Sequence, residues 1–404
     1  MLENAMMFRS LVVLLALLPC WPATAQVVVR DRALIVDGQP FPVRGAAGLT
    51  RLAELKALGA TVVRTYGEAP GLVLDEAQRL GLKVMVGFWL EHPRRGFNYA
   101  DPAQRDGQLA RLRAMVRQYR NHPALLLWGI GNEVEAELAD HTAIWPAIGE
   151  AARLVKAEDP NHPRMAVLAE VGGDKIARLM AAAPDINVLG VNSYGEALPS
   201  LGQRVRAQGW RGPLIVTELG AVGQWQVPRT RWGAAVEPSS TAKAVLLADL
   251  LPRAAAETDG QILFFWGQKQ EVTPTWHGLF LPGGEWVQAL EVAAKAWGGH
   301  TPGNNRAPRI DDLRWFGENT VEVKASDPDG DRVAIRWTVM AEATALGVAG
   351  DAEPVPPQFA GALQGDGTPA VRVGTLPPGR YRLFVTVTDG RGAGASANLP
   401  FERR

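Results

Sequence analysis

The feature that most limits what this chain can fold into is a unit repeated eight times between Phe41 and Trp297. Each unit is a short apolar, β-branched run ending in polar or aromatic residues, followed by a stretch with amphipathic helical spacing. The runs are residues 41–47, 61–67, 83–90, 125–133, 164–171, 186–194, 213–220 and 261–269, and helical spacing is clearest over 49–58, 104–120 and 241–258. Continuous apolar runs are what strands buried on both faces look like, and eight of them alternating with helices predict a closed (β/α)8 barrel, a TIM barrel, of the usual size of about 250 residues. The competing fold is an open doubly wound sheet. It usually places a Gly-rich phosphate turn after its first strand, and the segment GAAGLTR at 45–51 makes a poor one.

After Trp297 the texture changes. Gly, Pro and Asn dominate a linker, and beyond it short alternating runs at 321–325, 333–339, 371–373 and 381–387 are separated by the tight turns Asp329-Gly330 and Asp389-Gly390. This predicts a small all-β sandwich. The expected organisation is a signal peptide over 1–25, the barrel over 26–298, a linker over 299–309 and the sandwich over 310–404.

The signal peptide is read from Arg9, the apolar run Leu11 to Leu18, Pro19 and the small-x-small triplet Ala23-Thr24-Ala25. The run is too short to span a bilayer, so export to the periplasm or the medium is expected and membrane insertion is not. Cys20 is the only cysteine, and its removal with the leader leaves no disulfide, thiolate metal site or cysteine nucleophile. Lysine plus arginine and aspartate plus glutamate balance at 42 each, so no global field draws in nucleic acid or an anionic membrane. A neutral partner fits better, and 13 tryptophans against 5 tyrosines supply flat apolar rings of the kind that neutral sugars stack on. The six histidines are scattered without a metal-binding spacing. Asp327, Asp329 and Asp331 alternate as calcium ligands sometimes do, but an Asp- and Gly-rich turn forms without metal, so no metal and no cofactor are expected.

Chemistry in such a barrel sits at the C-terminal ends of the strands. The fourth run ends in Trp128-Gly129-Ile130-Gly131-Asn132-Glu133 and the seventh in Thr217-Glu218, so two carboxylates face one mouth. Glycosidic cleavage needs this pair: one carboxyl to protonate the leaving oxygen, and another to meet the oxocarbenium-like centre from the other side. Close carboxylates also split their pKa values, which keeps one protonated and the other ionised near neutral pH.

The run RNHPALLLWGIGNE at 120–133 resembles the acid/base signature of the glycoside hydrolase family 2 barrel. An Asn-Glu on the fourth strand with a Glu on the seventh is similar to the pattern of the wider clan A of glycoside hydrolases, whose members retain configuration through a covalent glycosyl-enzyme. The resemblance implies Glu133 as acid/base, Glu218 as nucleophile and Asn132 as donor to the sugar 2-hydroxyl. It implies Arg64, in the run VVRTYG with Tyr66, as the cation beside the nucleophile, Tyr194 as a hydrogen-bond donor to it, and Trp266, in FFWGQK, as the platform under the sugar. The stretch TWHGLFLPGGEW at 275–286 resembles the loop into the last helix of those barrels. Arg44, Trp89 and His277 are further candidates for substrate contact, as is the loop 91–101 for a subsite wall. In the last quarter of the chain, ASDPDGD and TVTDG resemble PKD- and cadherin-like immunoglobulin-like domains.

Two departures qualify the resemblance. Family 2 enzymes usually carry a jelly-roll and an immunoglobulin-like domain before the barrel, and these often shape an exo-acting pocket; here only about 15 residues separate the leader from the first run. VVRTYG also resembles the second-strand ends of families acting on β-1,3-glucans, glucanosyltransferases included. The sequence thus favours a retaining hydrolase of a neutral β-linked poly- or oligosaccharide, leaning toward β-glucan. The alternatives are a transglycosylase using the same site and a silent carbohydrate-binding envelope protein, although such a binder usually loses one of the two carboxylates.

Overall fold

The structure is a computed structural model that describes residues 26–404 except 139 and 349, so the expected signal peptide lies outside the described residues. Among the described residues no helix is long and apolar enough to cross a membrane.

Chain entry is a small antiparallel sheet that sequence reading did not foresee, made of β1 (Val27–Arg30), β2 (Ala33–Val36) and β3 (Gln39–Pro40). Its tight turns sit at Asp31 and at Asp37-Gly38, all with positive φ. Val27, Leu34 and Val36 pack into the same cluster as the barrel-interior residues Val43, Val62, Leu127 and Ile262, so this sheet closes the N-terminal end of the barrel.

The eight apolar runs form eight parallel strands: β4 (Val43–Ala47), β5 (Val62–Arg64), β6 (Lys83–Phe88), β7 (Leu125–Ile130), β8 (Arg164–Leu168), β9 (Val188–Tyr194), β10 (Leu214–Gly220) and β11 (Gly260–Leu263). β11 pairs with β4 through Gly260↔Val43 to Leu263↔Ala46, which closes the barrel. Every residue of β7 and β8 is buried, as continuous apolar runs require. Strand side chains alternate between the barrel interior and the layer of helices α1 (Leu52–Ala57), α2 (Gly71–Leu80), α3 (Pro102–Tyr119), α4 (Ile144–Glu158), α5 (Lys175–Ala182), α6 (Leu201–Ala207), α7 (Ser240–Glu257) and α8 (Ala289–Trp297). Each fully buried Leu, Val or Ile contributes about 1.5–3 kcal/mol. Helix starts are written locally: Asp101 accepts from the Ala103 N–H at 2.9 Å with Pro102 in the first turn, and Ser239 accepts from Ala242 at 3.1 Å.

Beyond the barrel, β12 (Arg309–Phe316), β13 (Thr320–Ser326), β15 (Leu363–Gln364) and β16 (Ala370–Val373) form one antiparallel sheet, and β14 (Ala334–Ala341), β17 (Gly379–Thr388) and β18 (Gly394–Arg403) form another. They enclose a core of their own around Val321, Trp337, Val371, Leu383 and Val385. Trp337 is buried there and donates to Thr368 O at 2.9 Å, whereas Phe316 is 62% exposed. The sandwich is docked on the barrel. Ser396 N–H donates to Ser240 Oγ at 2.9 Å, Ile310 N–H donates to Thr241 Oγ1 at 3.0 Å, and the backbone of Trp286 pairs with Gly392 and Gly394. Asp327, Asp329 and Asp331 do converge, but Arg306 already neutralises Asp329 at 2.6 Å and Arg391 neutralises Asp331 at 2.9 Å.

Candidate active site

The mouth at the C-terminal strand ends opens into a cavity of about 1160 Å³ lined by residues of both domains. Glu133 reaches it through a turn that leaves β7 in left-handed steps, with φ of 71° at Gly131 and 51° at Glu133 itself. A Cβ at Gly131 would lie 2.6 Å from Val134 Cγ2, so glycine is required there both for space and for its φ. The Glu133 N–H is held by Val167 O of β8 at 3.0 Å, and this pins an unfavourable conformation of a kind that clusters at functional sites. Glu218 is a β10 residue, 7% exposed.

The two carboxylates have different surroundings. On Glu218, Oε1 accepts from Tyr66 OH at 2.9 Å and from Arg64 Nη1 at 3.3 Å, and Oε2 accepts from Tyr194 OH at 3.0 Å. On Glu133, Oε1 accepts from Asn192 Nδ2 at 2.7 Å. Burial raises both carboxyls. Glu133 is pushed up to about 8, by burial first and by the charge of Glu218 second, against the single opposing hydrogen bond of Asn192. On Glu218 burial is the largest influence and upward, but the Arg64 guanidinium and the two tyrosine hydroxyls pull against it. A proton entering the pair therefore rests on Glu133, and Glu218 is the anion. Tyr66 and Tyr194, buried beside that anion, are raised well above the usual phenol value and stay protonated donors.

Arg64, at the end of β5, also donates to Thr217 O at 2.6 Å and to Asn132 Oδ1 at 2.6 Å. Asn132 Oδ1 receives a second donor from Asn192 at 3.2 Å, so its amide nitrogen remains for a ligand in the cavity that Asn132 lines. Asn192 itself, in the run VNSY, was missed by sequence reasoning. Its place in β9, two residues before Tyr194 and so on the same face, was the signal that could have found it.

Trp89 and His277 line the cavity as well, His277 edge-on to Tyr194 at 5.4 Å and pushed down to about 4 by burial, so it is neutral. Trp266 does not reach the site. β11 ends at Leu263, and Trp266 turns under the rim, 2% exposed, donating to Thr50 O at 2.9 Å and packing edge-on to Phe280. Phe264 and Phe265 occupy the wall in its place. Arg44 is also corrected: it is the second residue of β4, which runs on to Ala47 before it reaches the mouth, so Arg44 lies toward the far end of the barrel. The loop 91–101 forms the short helix Pro93–Arg95 and turns its arginines to Asp351 of the sandwich rather than to the cavity. Trp225, 59% exposed, and Trp232 come from the loop after β10 and line the opening.

The fold and the paired glutamates define a barrel that presents two carboxyl groups in one mouth, at the ends of its fourth and seventh strands. Residues 64–220, from the end of β5 to the end of β10 and including both glutamates, match the family model described as Glycosyl hydrolases family 2, TIM barrel domain. Solved structures similar to the chain include a β-D-glucuronidase of Dictyoglomus thermophilum, with a TM-score of 0.54 and 16% identity over 68% of this chain and 53% of that one. A β-galacturonidase from Eisenbergiella tayi bound to galacturonate gives 0.53 and 18% over 68% and 54%. Bacteroides uniformis β-glucuronidase 2, covalently bound to a cyclophellitol-6-carboxylate aziridine, gives 0.54 and 16% over 93% and 48%. The chain spans about half the length of these structures, and at such identities the likeness speaks for the fold.

Proposed function

We propose that the protein is a retaining β-glycoside hydrolase acting on a neutral β-linked oligo- or polysaccharide. The observation that carries this reading is the unequal treatment of the two glutamates. Glu218, stripped of water and held by Arg64, Tyr66 and Tyr194, is an oriented anion suited to attack an anomeric carbon. Glu133 holds a proton near neutral pH, suited to delivery to the departing oxygen. Once the glycosyl-enzyme ester has formed, Glu133 is the anion and takes a proton from the incoming water, whose oxygen displaces Glu218. The free amide of Asn132 meets the sugar hydroxyl beside the reacting carbon.

Charge around the cavity favours a neutral sugar, because its charged lining is largely paired off: Glu133 holds a proton, and Glu170, Glu218 and Glu342 pair with Arg204, Arg64 and Arg382. Lys269 is neutralised by Glu271 Oε2 at 2.6 Å, and Arg380 lies 3.7 Å from Glu402. Arg229 sits at the exposed rim on the carbonyl of Gly233. A uronic acid of the kind the similar structures act on would bring a negative charge into a lining where, among the described residues, no buried cation is left free to receive it. Export is proposed from the N-terminal sequence alone, and it suits a polysaccharide met outside the cytoplasm.

The test is turnover of neutral aryl β-glycosides, aryl β-glucuronide and a panel of β-glucans, mannans and galactans, with chain-length analysis of the products. Neutral substrates are expected to be cleaved, with β-glucans the first to examine; longer products would indicate transfer to a sugar acceptor instead of water. Glu218→Ala should lose all turnover. Glu133→Ala should lose about 10²–10⁴-fold on the natural substrate and recover in part with an activated leaving group. Preference for the glucuronide would overturn the neutral-sugar reading, and indifference to both substitutions would overturn the site.

A further inference from the structure

One wall of the cavity belongs to the other domain. The loop 342–357 of the sandwich leaves β14 and returns through a bridge between Met340 and Gln358, and its residues Glu342, Thr344, Leu346 and Val348 line the cavity. The loop is tied down on two sides of the mouth. Asp351 pairs with Arg94 Nη2 at 3.0 Å and with Arg95, both in the loop after β6. On the other side Gly350 O accepts from Lys269 Nζ at 3.0 Å, and Glu353 Oε2 accepts from the Val272 N–H at 2.7 Å, both in the loop after β11. At its base Arg382, 2% exposed, joins Glu342 at 2.7 Å to Ala235 O at 2.9 Å. The sector of rim that it bridges is where the barrel contributes least: the connections 48–51 and 65–70 after β4 and β5 are short, and Tyr66 alone of them reaches the cavity.

The loop also presents apolar side chains to open space. Leu346 is 49% and Val348 41% exposed, and both line the same cavity as Trp225. Apolar surface left unburied beside a pair of carboxyls is what a sugar ring's C–H faces cover, and Leu346, Val348 and Trp225 all open onto the one cavity.

We propose that the loop 342–357 is a specificity-determining part of the site: with Trp225 it forms a subsite for a sugar ring beyond the one held at the glutamates. Barrel and sandwich together then select a β-linked oligosaccharide over a simple glycoside. This rests on the reading of the site as a β-glycosidase. The test compares kcat/KM on a neutral aryl β-monosaccharide and on the matching oligosaccharide, in the full chain, for wild type, for the exposed double substitution Leu346→Ser with Val348→Ser, and for the anchor substitution Asp351→Ala. The double variant is expected to lose about ten-fold on the oligosaccharide, mostly through KM, and much less on the aryl monosaccharide. Asp351→Ala should shift the ratio in the same direction. Equal losses on both substrates, or an unchanged ratio in the folded double variant, would overturn the proposal. If wild type turns over neither an aryl glycoside nor an oligosaccharide of the panel, the reading of the site fails, and the subsite falls with it.

Discussion

Replacing Tyr194 by phenylalanine tests how the nucleophile is kept ionised. The substitution removes one hydroxyl, which donates to Glu218 Oε2 at 3.0 Å, and keeps the ring edge-on to Trp225, Phe264 and His277. A hydrogen bond to a charged group contributes about 1.5–3 kcal/mol. At about 1.4 kcal/mol per unit this raises the pKa of Glu218 by about one to two units, because the donor favours only the ionised form. The nucleophile must be ionised to react, so the acid limb of the profile of kcat/KM against pH should move up by that amount. The alkaline limb is set by the proton on Glu133, near 8 in the free protein, and should stay in place. The limbs are properties of the coupled pair, so the displacement of each limb is the quantity to read. The assay is kcat/KM for an aryl β-glycoside from about pH 4 to about pH 10, in wild type, Tyr194→Phe and Tyr66→Phe, whose hydroxyl donates to Oε1 at 2.9 Å. An acid limb that moves by less than about 0.3 unit in both variants, with the alkaline limb moving instead, would refute the assignment of Glu218 as the anion.

Two further outcomes follow from buried groups outside the catalytic pair. Trp266→Ala should cost about 3–5 kcal/mol by denaturant unfolding, because it empties a packed site under the rim, while Phe264→Ala should act first on KM. His277 is held near 4 against an ordinary 6.5. As pH falls below 6.5 the unfolded chain takes up a proton that the folded chain refuses, so stability should decline from that pH and level off below about 4, by about 3 kcal/mol in all. Urea unfolding across this range should show a shallower decline in His277→Gln.

The eight strands were legible because burial on both faces forces continuous apolar runs, which leave no doubt about where a strand lies, only about where it ends. Those ends decided the errors. Apolar continuity runs on past Leu263 through Phe264 and Phe265, so the last strand was extended by several residues and Trp266 was set at the mouth; Arg44 was set there although its strand runs on for three more residues to Ala47. Glu133, Glu218 and Arg64 were legible because each charge closes an otherwise apolar run, and a charge in that position needs a partner. Asn192 offers no such contrast, since a neutral amide in a strand reads as a break. The wall contributed by the sandwich lay beyond any local pattern: it depends on the docking of two domains through pairs such as Asp351 with Arg94, more than 250 residues apart in sequence.

The roles of the amides follow from one residue. A guanidinium carries donors only, so every oxygen that faces Arg64 must be an acceptor. Asn132 and Asn192 both turn their carbonyl oxygens to it, at 2.6 and 3.4 Å, and Thr217 Oγ1 fixes the second from another side at 2.7 Å. Their amide nitrogens are thereby committed in the opposite direction. That of Asn192 meets Glu133, and Asn132 lines the cavity. The cation that keeps Glu218 charged thus also orients the donor on Glu133 and the amide of Asn132. One strand-end arginine favours the charge of one carboxylate and sets the hydrogen-bonding direction around the other, and this coupling is why the two glutamates of one mouth have such different surroundings.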